Sequence, residues 1–228
     1  MNLIVASGNQ GKLHEISEIF SHHRVMSFRE FLAPFEIIED GNSFQENAFI
    51  KARAVAEKLP PHIMRTHVIL SDDSGLCVPI LGGAPGIYSA RYAGEGANDE
   101  KNNERLIHTL KTRGIERTSA YYVAAIAMIF RGMEWSTHGW LHGEVITTPR
   151  GKEGFGYDPL FIPKGYDMSL AEMEKAQKNK ISHRFWGLKR AEFLLGTTAI
   201  PIRSFIKNTS KMCYPQVLLQ QESGVDHE

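Results

Sequence analysis

The apolar positions change period repeatedly along this chain, and each change marks an element. A short apolar run from Leu3 to Ala6 leads into a glycine-bearing turn, and Leu13, Ile16, Ile19 and Phe20 then recur at helical spacing. Phe35 to Ile38 reads as a second strand ending in an Asp40-Gly41 turn. Ser43 with Glu46 fits a capping box for a helix through Leu59, closed by Pro60-Pro61. His67 to Leu70 reads as a buried strand ending at SDDSGL, and LGGAPG (81–86) as a loop whose glycines serve its backbone shape. Asn98 to Arg113 is helical and polar, the pattern of a solvated face. The apolar stretch 119–130, SAYYVAAIAMIF, turns at Arg131-Gly132 and returns over Glu134 to Ile146, which predicts a long hairpin. Residues 151–161 form a loop entering a short strand. Ser169 with Glu172 suggests another capping box, and Ser182 a cap for a last helix carrying Phe185, Trp186, Leu188, Ala191 and Leu194.

Alternating strands and helices predict an α/β protein. No repeat or linker divides the pattern, so 1–195 reads as one domain and 196–228 as an irregular C-terminal extension of unknown role. The length of 228 residues suits such a core. Lys plus Arg and Asp plus Glu each number 26, so no global field attracts nucleic acid or an anionic membrane. Cys77 and Cys213 give neither a disulfide framework nor zinc spacing. No stretch approaches the ~20 apolar residues of a membrane span, and MNLIVASGNQ lacks the basic and long apolar regions of a signal peptide. The expectation is a soluble protein of a reducing compartment, the cytoplasm.

Several stretches carry candidate chemistry. SGNQGK (7–12) joins a strand to a helix, which presents backbone N–H groups to an anion. It fits neither the P-loop nor the dinucleotide spacing, so a plain connection stays open beside a phosphate turn. Asp72 and Asp73 end a buried strand, where paired carboxylates need a cation or hydrogen bonds. Their oxygens suit magnesium, and strand geometry turns one toward the site and leaves the other to hold the loop. An Asx-turn is the alternative. Glu39-Asp40 is a second acidic pair, either a solvated turn or a further metal ligand. Lys12, Lys178, His183 and Arg184 could meet phosphates, and Phe155-Gly156-Tyr157-Asp158 offers aromatic faces for a base or a hydrophobic corner with Pro159. The remaining histidines lack metal spacing, and no serine or cysteine nucleophile motif is present.

In order, SGNQGK, ENAFIKA, SDDSGL, LGGAPGIYSARYAG, GFGYDP and ISHR resemble the inosine/xanthosine triphosphate pyrophosphatase family over about residues 1–195. The resemblance implies an elongated two-lobed α/β fold with a central mixed β-sheet flanked by helices and a substrate cleft between the lobes. It also implies a homodimer and Mg²⁺-dependent hydrolysis of ITP, dITP and XTP to the monophosphate and pyrophosphate. Matched by position, Ser7, Gly8, Asn9, Gln10, Gly11 and Lys12 would hold the triphosphate, and Asp73 would be the catalytic carboxylate and a metal ligand. Glu39 would be a metal-linked acid, with Asp40 next to it leaving the register open by one. Ser74 would touch substrate, Phe155, Gly156, Tyr157 and Asp158 would surround the base, and Lys178, His183 and Arg184 would contact base and phosphates. Arg91 is a further phosphate or structural candidate. Ser71 departs from the alanine many members carry there. A pyrophosphatase for modified pyrimidine nucleotides and a catalytically silent nucleotide binder are the competing readings.

Overall fold

The computed structural model describes residues 1–198. Contacts divide the chain into Met1–Phe193 and Leu194–Glu228, and every candidate site residue belongs to the first unit. Most of the expected extension, with Cys213, lies outside the described residues. No helix among the described residues is long and apolar enough to cross a membrane.

The strands are β1 (Asn2–Val5), β2 (Arg24–Ser27), β3 (His67–Cys77), β4 (Arg117–Phe130), β5 (Met133–Ile146) and β6 (Phe161–Pro163). The helices are α1 (Gln10–Ile19), α2 (Phe44–Ala56), α3 (Pro61–Met64), α4 (Asp99–Lys111), α5 (Lys175–Ile181) and α6 (His183–Thr198). One mixed sheet runs in the order β2-β1-β3-β4-β5-β6. β1 lies parallel to both β2 and β3, while β3 to β6 pair antiparallel. The chain leaves β1 through α1 to β2 on one side and reaches β3 on the other side through α2. The carboxyl end of β1 is therefore a switch point, where open α/β sheets receive ligands.

Two cores form. In the first, Ala48, Ala52 and Val55 of α2 meet Ile4, Ile69, Ala125, Ala127 and Ile129 of the sheet. In the second, Leu106 and Leu110 of α4 meet Leu76, Tyr122, Val145 and Phe161. On the face of β4 opposite the first core, Ile126 meets α6 at Gly187. A Cβ at Gly139 would collide with His183 O and Gly187 N, and Thr137 Oγ1 donates to Gly187 O at 2.8 Å. Backbone atoms set that limit, so α6 would have to move. Gly139→Ala is expected to cost about 1–3 kcal/mol by overpacking, read from the shift of the urea midpoint.

Three expectations change. Phe35 to Ile38 is not a strand; Phe35 and Ile37 pack on the first core from an irregular segment, so their alternation reflects burial without pairing. The second strand is instead β2, whose short RVMS sequence offers little periodicity. β3 does not stop at SDDSGL but continues to Cys77, because both aspartates find cations on opposite faces of the sheet. The Ser169–Glu172 capping box forms, yet it opens only a single 3₁₀ turn.

Candidate active site

Asn9 caps α1, its Oδ1 accepting from the Lys12 N–H at 3.1 Å, while Ser7 Oγ accepts from the Asn9 N–H at 3.2 Å. Ala6 N donates to Leu70 O at 2.7 Å, so the SGNQGK turn emerges from β1 directly beside Ser71 to Ser74 on β3. Strand geometry then separates the two aspartates. Asp72 stands opposite Ile126, on the face covered by α6, and Asp73 opposite Ala125, on the face covered by α2.

Asp72 is 2 % exposed and binds two cations through Oδ2: Lys12 Nζ at 3.1 Å and Arg184 Nε at 3.1 Å. Burial alone would raise its pKa, but Lys12, Arg184 and Lys51 overcome that and hold the carboxyl well below the usual range. Arg184 is itself buried. Its remaining donors reach Glu15 Oε2 at 2.6 Å and Ser74 Oγ at 3.2 Å. Arg184 thus fastens α6 to β3 and α1, and Asp72 ties the SGNQGK turn to the same point through Lys12.

Asp72 Oδ1 has no partner, and Asp73 likewise leaves one oxygen unpartnered, but it has one cation where Asp72 has two. Its Oδ1 accepts from Lys51 Nζ at 3.0 Å, and its Oδ2 is buried with no partner. Burial, with Glu39 adding to it, pushes the Asp73 carboxyl above the ordinary aspartate range, against the pull of Lys51. Lys51 also donates to Glu39 Oε2 at 2.7 Å; burial opposes its charge, but the carboxylates outweigh burial and hold the ammonium protonated. Of the two neighbouring acids it is Glu39 that joins this chain, while Asp40 is exposed. Asn47, one turn before Lys51 on α2, accepts from the Gly41 N–H at 2.9 Å and so pins the Glu39 segment in place.

Farther along, Lys178 on α5 bridges to Asp158 and lies 4.3 Å from the Phe155 ring centroid. Phe155 is 60 % exposed, a face free for stacking, whereas Tyr157 is buried in the second core with its hydroxyl donating to Ser89 O at 2.8 Å. A two-aromatic clamp is therefore not presented. His183 stacks on Tyr122 at 4.9 Å, and its Nδ1 is buried without a partner. Burial, reinforced by Arg184, holds the imidazole neutral far below the usual histidine pKa.

A hard cation fits these residues. Among the described residues no group of three His, Cys, Asp or Glu side chains forms a complete protein cage. Magnesium does not need one, since it usually takes one or two carboxylates and completes its shell with water and substrate phosphates. The oxygens that such an ion would take up here are the unpartnered Asp73 Oδ2 and the Glu39 carboxylate, both next to Lys51.

Lys51, Glu15 and Asn47 were not singled out by sequence. A spacing clue existed: Asn47 and Lys51 stand four apart in ENAFIKA, on one helix face. Glu15 is joined to Arg184 only through the tertiary fold.

A capped strand-to-helix turn at a sheet switch point, beside two aspartates that each leave one oxygen unpartnered, is an arrangement in which α/β proteins hold phosphates. The Ham1 family profile matches residues 3–192, and the chain belongs to that family. It is 55 % identical over 195 residues to the dITP/XTP pyrophosphatase of Wolinella succinogenes, covering 86 % of this chain and 96 % of that protein. It is 50 % identical over 195 residues to the dITP/XTP pyrophosphatase of Nautilia profundicola, covering 86 % and 97 %. Among solved structures it is similar to the Staphylococcus aureus Ham1 protein, with a TM-score of 0.77 and 36 % identity over 87 % of this chain and 100 % of the other.

Proposed function

We propose that the protein hydrolyses noncanonical purine nucleoside triphosphates, ITP, dITP and XTP, to the monophosphate and pyrophosphate, clearing deaminated purines from the nucleotide pool. The observation that carries this is Asp73: a half-buried carboxylate with a raised pKa, fixed by Lys51 through one oxygen and unpartnered at the other. It stands beside Asp72, whose lysine partner comes from the anion turn.

Ser7 to Lys12 hold the triphosphate through backbone N–H groups and the α1 N-terminus. Asp73 Oδ2 orients a water and takes its proton as the water oxygen bonds to the α-phosphorus. The bond from the α-phosphorus to the oxygen bridging it to the β-phosphorus breaks, and pyrophosphate leaves with that electron pair. Mg²⁺ held by Asp73, Glu39 and phosphate oxygens would neutralise charge on the leaving group. Lys51 keeps Asp73 aimed and adds positive potential. Phe155 stacks on the base beside Lys178 and Asp158, and the neutral His183 offers a nitrogen near it. Donors placed for a 6-oxo group are left unpaired by adenine, which is how a polar site obtains large discrimination.

Pyrophosphate release from ITP, dITP, XTP, ATP, GTP and modified pyrimidine triphosphates, with Mg²⁺ or EDTA, tests the proposal. Release confined to the deaminated purines and lost in EDTA supports it, and turnover of the pyrimidine set alone would replace it. The resemblance further implies a homodimer, which sedimentation of the purified chain tests.

A further inference from the structure

We infer that Asp99 and Asn103 of α4 are positioning residues that shape the base-contacting loop and so set substrate selectivity. This rests on the reading that Phe155 to Asp158 surround the base. Both polar ends of Gly156 are taken by α4. Its N–H donates to Asp99 Oδ2 at 2.6 Å, and its carbonyl accepts from Asn103 Nδ2 at 2.9 Å. Asp99 and Asn103 are four residues apart, on one face of the helix. Gly156 adopts φ +60°, with no atom within 4 Å of where a Cβ would stand. Conformation, not crowding, requires glycine here, and the two side chains hold the chain in that conformation.

Asp99 is not occupied in capping its own helix. Asn98 does that, its Oδ1 accepting from the Lys101 N–H at 3.0 Å. Asn103 Oδ1 is a buried acceptor with no partner, which an amide serving only to stabilise the fold would ordinarily have satisfied. On either side of Gly156, the Phe155 N–H donates to Asp158 Oδ2 at 2.9 Å, and Tyr157 is fixed through its hydroxyl to Ser89 O. The exposed Phe155 ring is thus carried by a segment anchored at each residue, with its central peptide set by a helix outside the triphosphate and acidic centres. Those centres, at Lys12 and at Asp73 with Lys51, make no hydrogen bond or ion pair with Asp99 or Asn103. Loosening the clamp therefore affects where the base lies more than how the anhydride is cut.

Asp99→Ala, Asp99→Asn and Asn103→Leu, each assayed with ITP and ATP alongside the melting temperature, test the inference. In Asp99→Ala and Asn103→Leu the KM for ITP is expected to rise about 10- to 100-fold, the scale of a lost base-stacking contact. kcat should change far less, and the ITP-to-ATP ratio of kcat/KM should fall. Asp99→Asn keeps an acceptor oxygen for Gly156 N–H and should recover most of the wild-type ratio. A lowered melting temperature with KM and ratio unchanged would overturn the inference and leave the proposed activity standing. Absence of purine triphosphate turnover in the wild-type protein would overturn both.

Discussion

Asp72→Ala is expected to lower the folding stability by about 3–5 kcal/mol, the cost of removing one partner from a buried charge cluster. Asp72 is the counter-ion shared by Lys12 and Arg184, and Arg184 is as buried as the carboxylate itself. Without Asp72, Arg184 retains only Glu15 for charge compensation. The pH dependence has a defined sign. The folded pKa of Asp72 lies below the unfolded one, so its contribution is fully present above the ordinary aspartate pKa of about 3.9 and is lost as pH falls toward the folded value. Urea titrations at neutral and acidic pH read both effects: a lower midpoint at neutral pH, and a smaller difference from wild type as the pH falls below that range. A loss under about 1 kcal/mol at neutral pH would mean the cluster is not a structural anchor, since exposed ion pairs are worth that little.

Its neighbour should behave in the reverse way. Asp73→Asn is expected to reduce kcat/KM for ITP by about 10²- to 10⁴-fold or more, the range of a lost general base, while stability changes little. Burial raises the folded pKa of Asp73, so its ionisation weakens the fold as pH rises through that value, and the amide removes this penalty. Lys51 retains Glu39 as a partner in the variant. In the wild-type enzyme the acidic limb of kcat/KM should fall above the ordinary aspartate value of about 3.9. Kinetics and urea unfolding on the same preparations check both halves. An Asp73→Asn enzyme that stays active, or one that unfolds as readily as Asp72→Ala, would contradict the division of labour between the two residues.

Much of this was legible in the sequence, and the failures have physical causes. Strand periodicity alone places Asp72 and Asp73 on opposite faces, and the pattern of 119–146 marks the hairpin of the two longest strands. The SGNQGK turn joins a strand to a helix, as its sequence predicts. β2 escaped because RVMS is too short to display a period, and Phe35 to Ile38 misled because burial against a core mimics pairing. Lys51 was hidden in plain helical spacing; only the fold reveals that it joins Glu39 to Asp73, residues 34 apart in sequence by their numbers. Arg184 looked like a ready phosphate ligand, yet the fold surrounds it with Glu15, Asp72 and Ser74, contacts 169, 112 and 110 residues away that no local pattern announces. Tyr157 likewise reads as a stacking partner of Phe155 until its burial in the second core is seen.

The most direct test of the account is hydrolysis of ITP by the wild-type protein in ¹⁸O-labelled water with magnesium present, followed by mass analysis of both products. Attack on the α-phosphorus by a water that Asp73 orients predicts one labelled oxygen in the monophosphate and none in pyrophosphate. Label in pyrophosphate would place the attack at the β-phosphorus, and labelled orthophosphate with unlabelled IDP would place it at the γ-phosphorus; either result contradicts the proposed reaction.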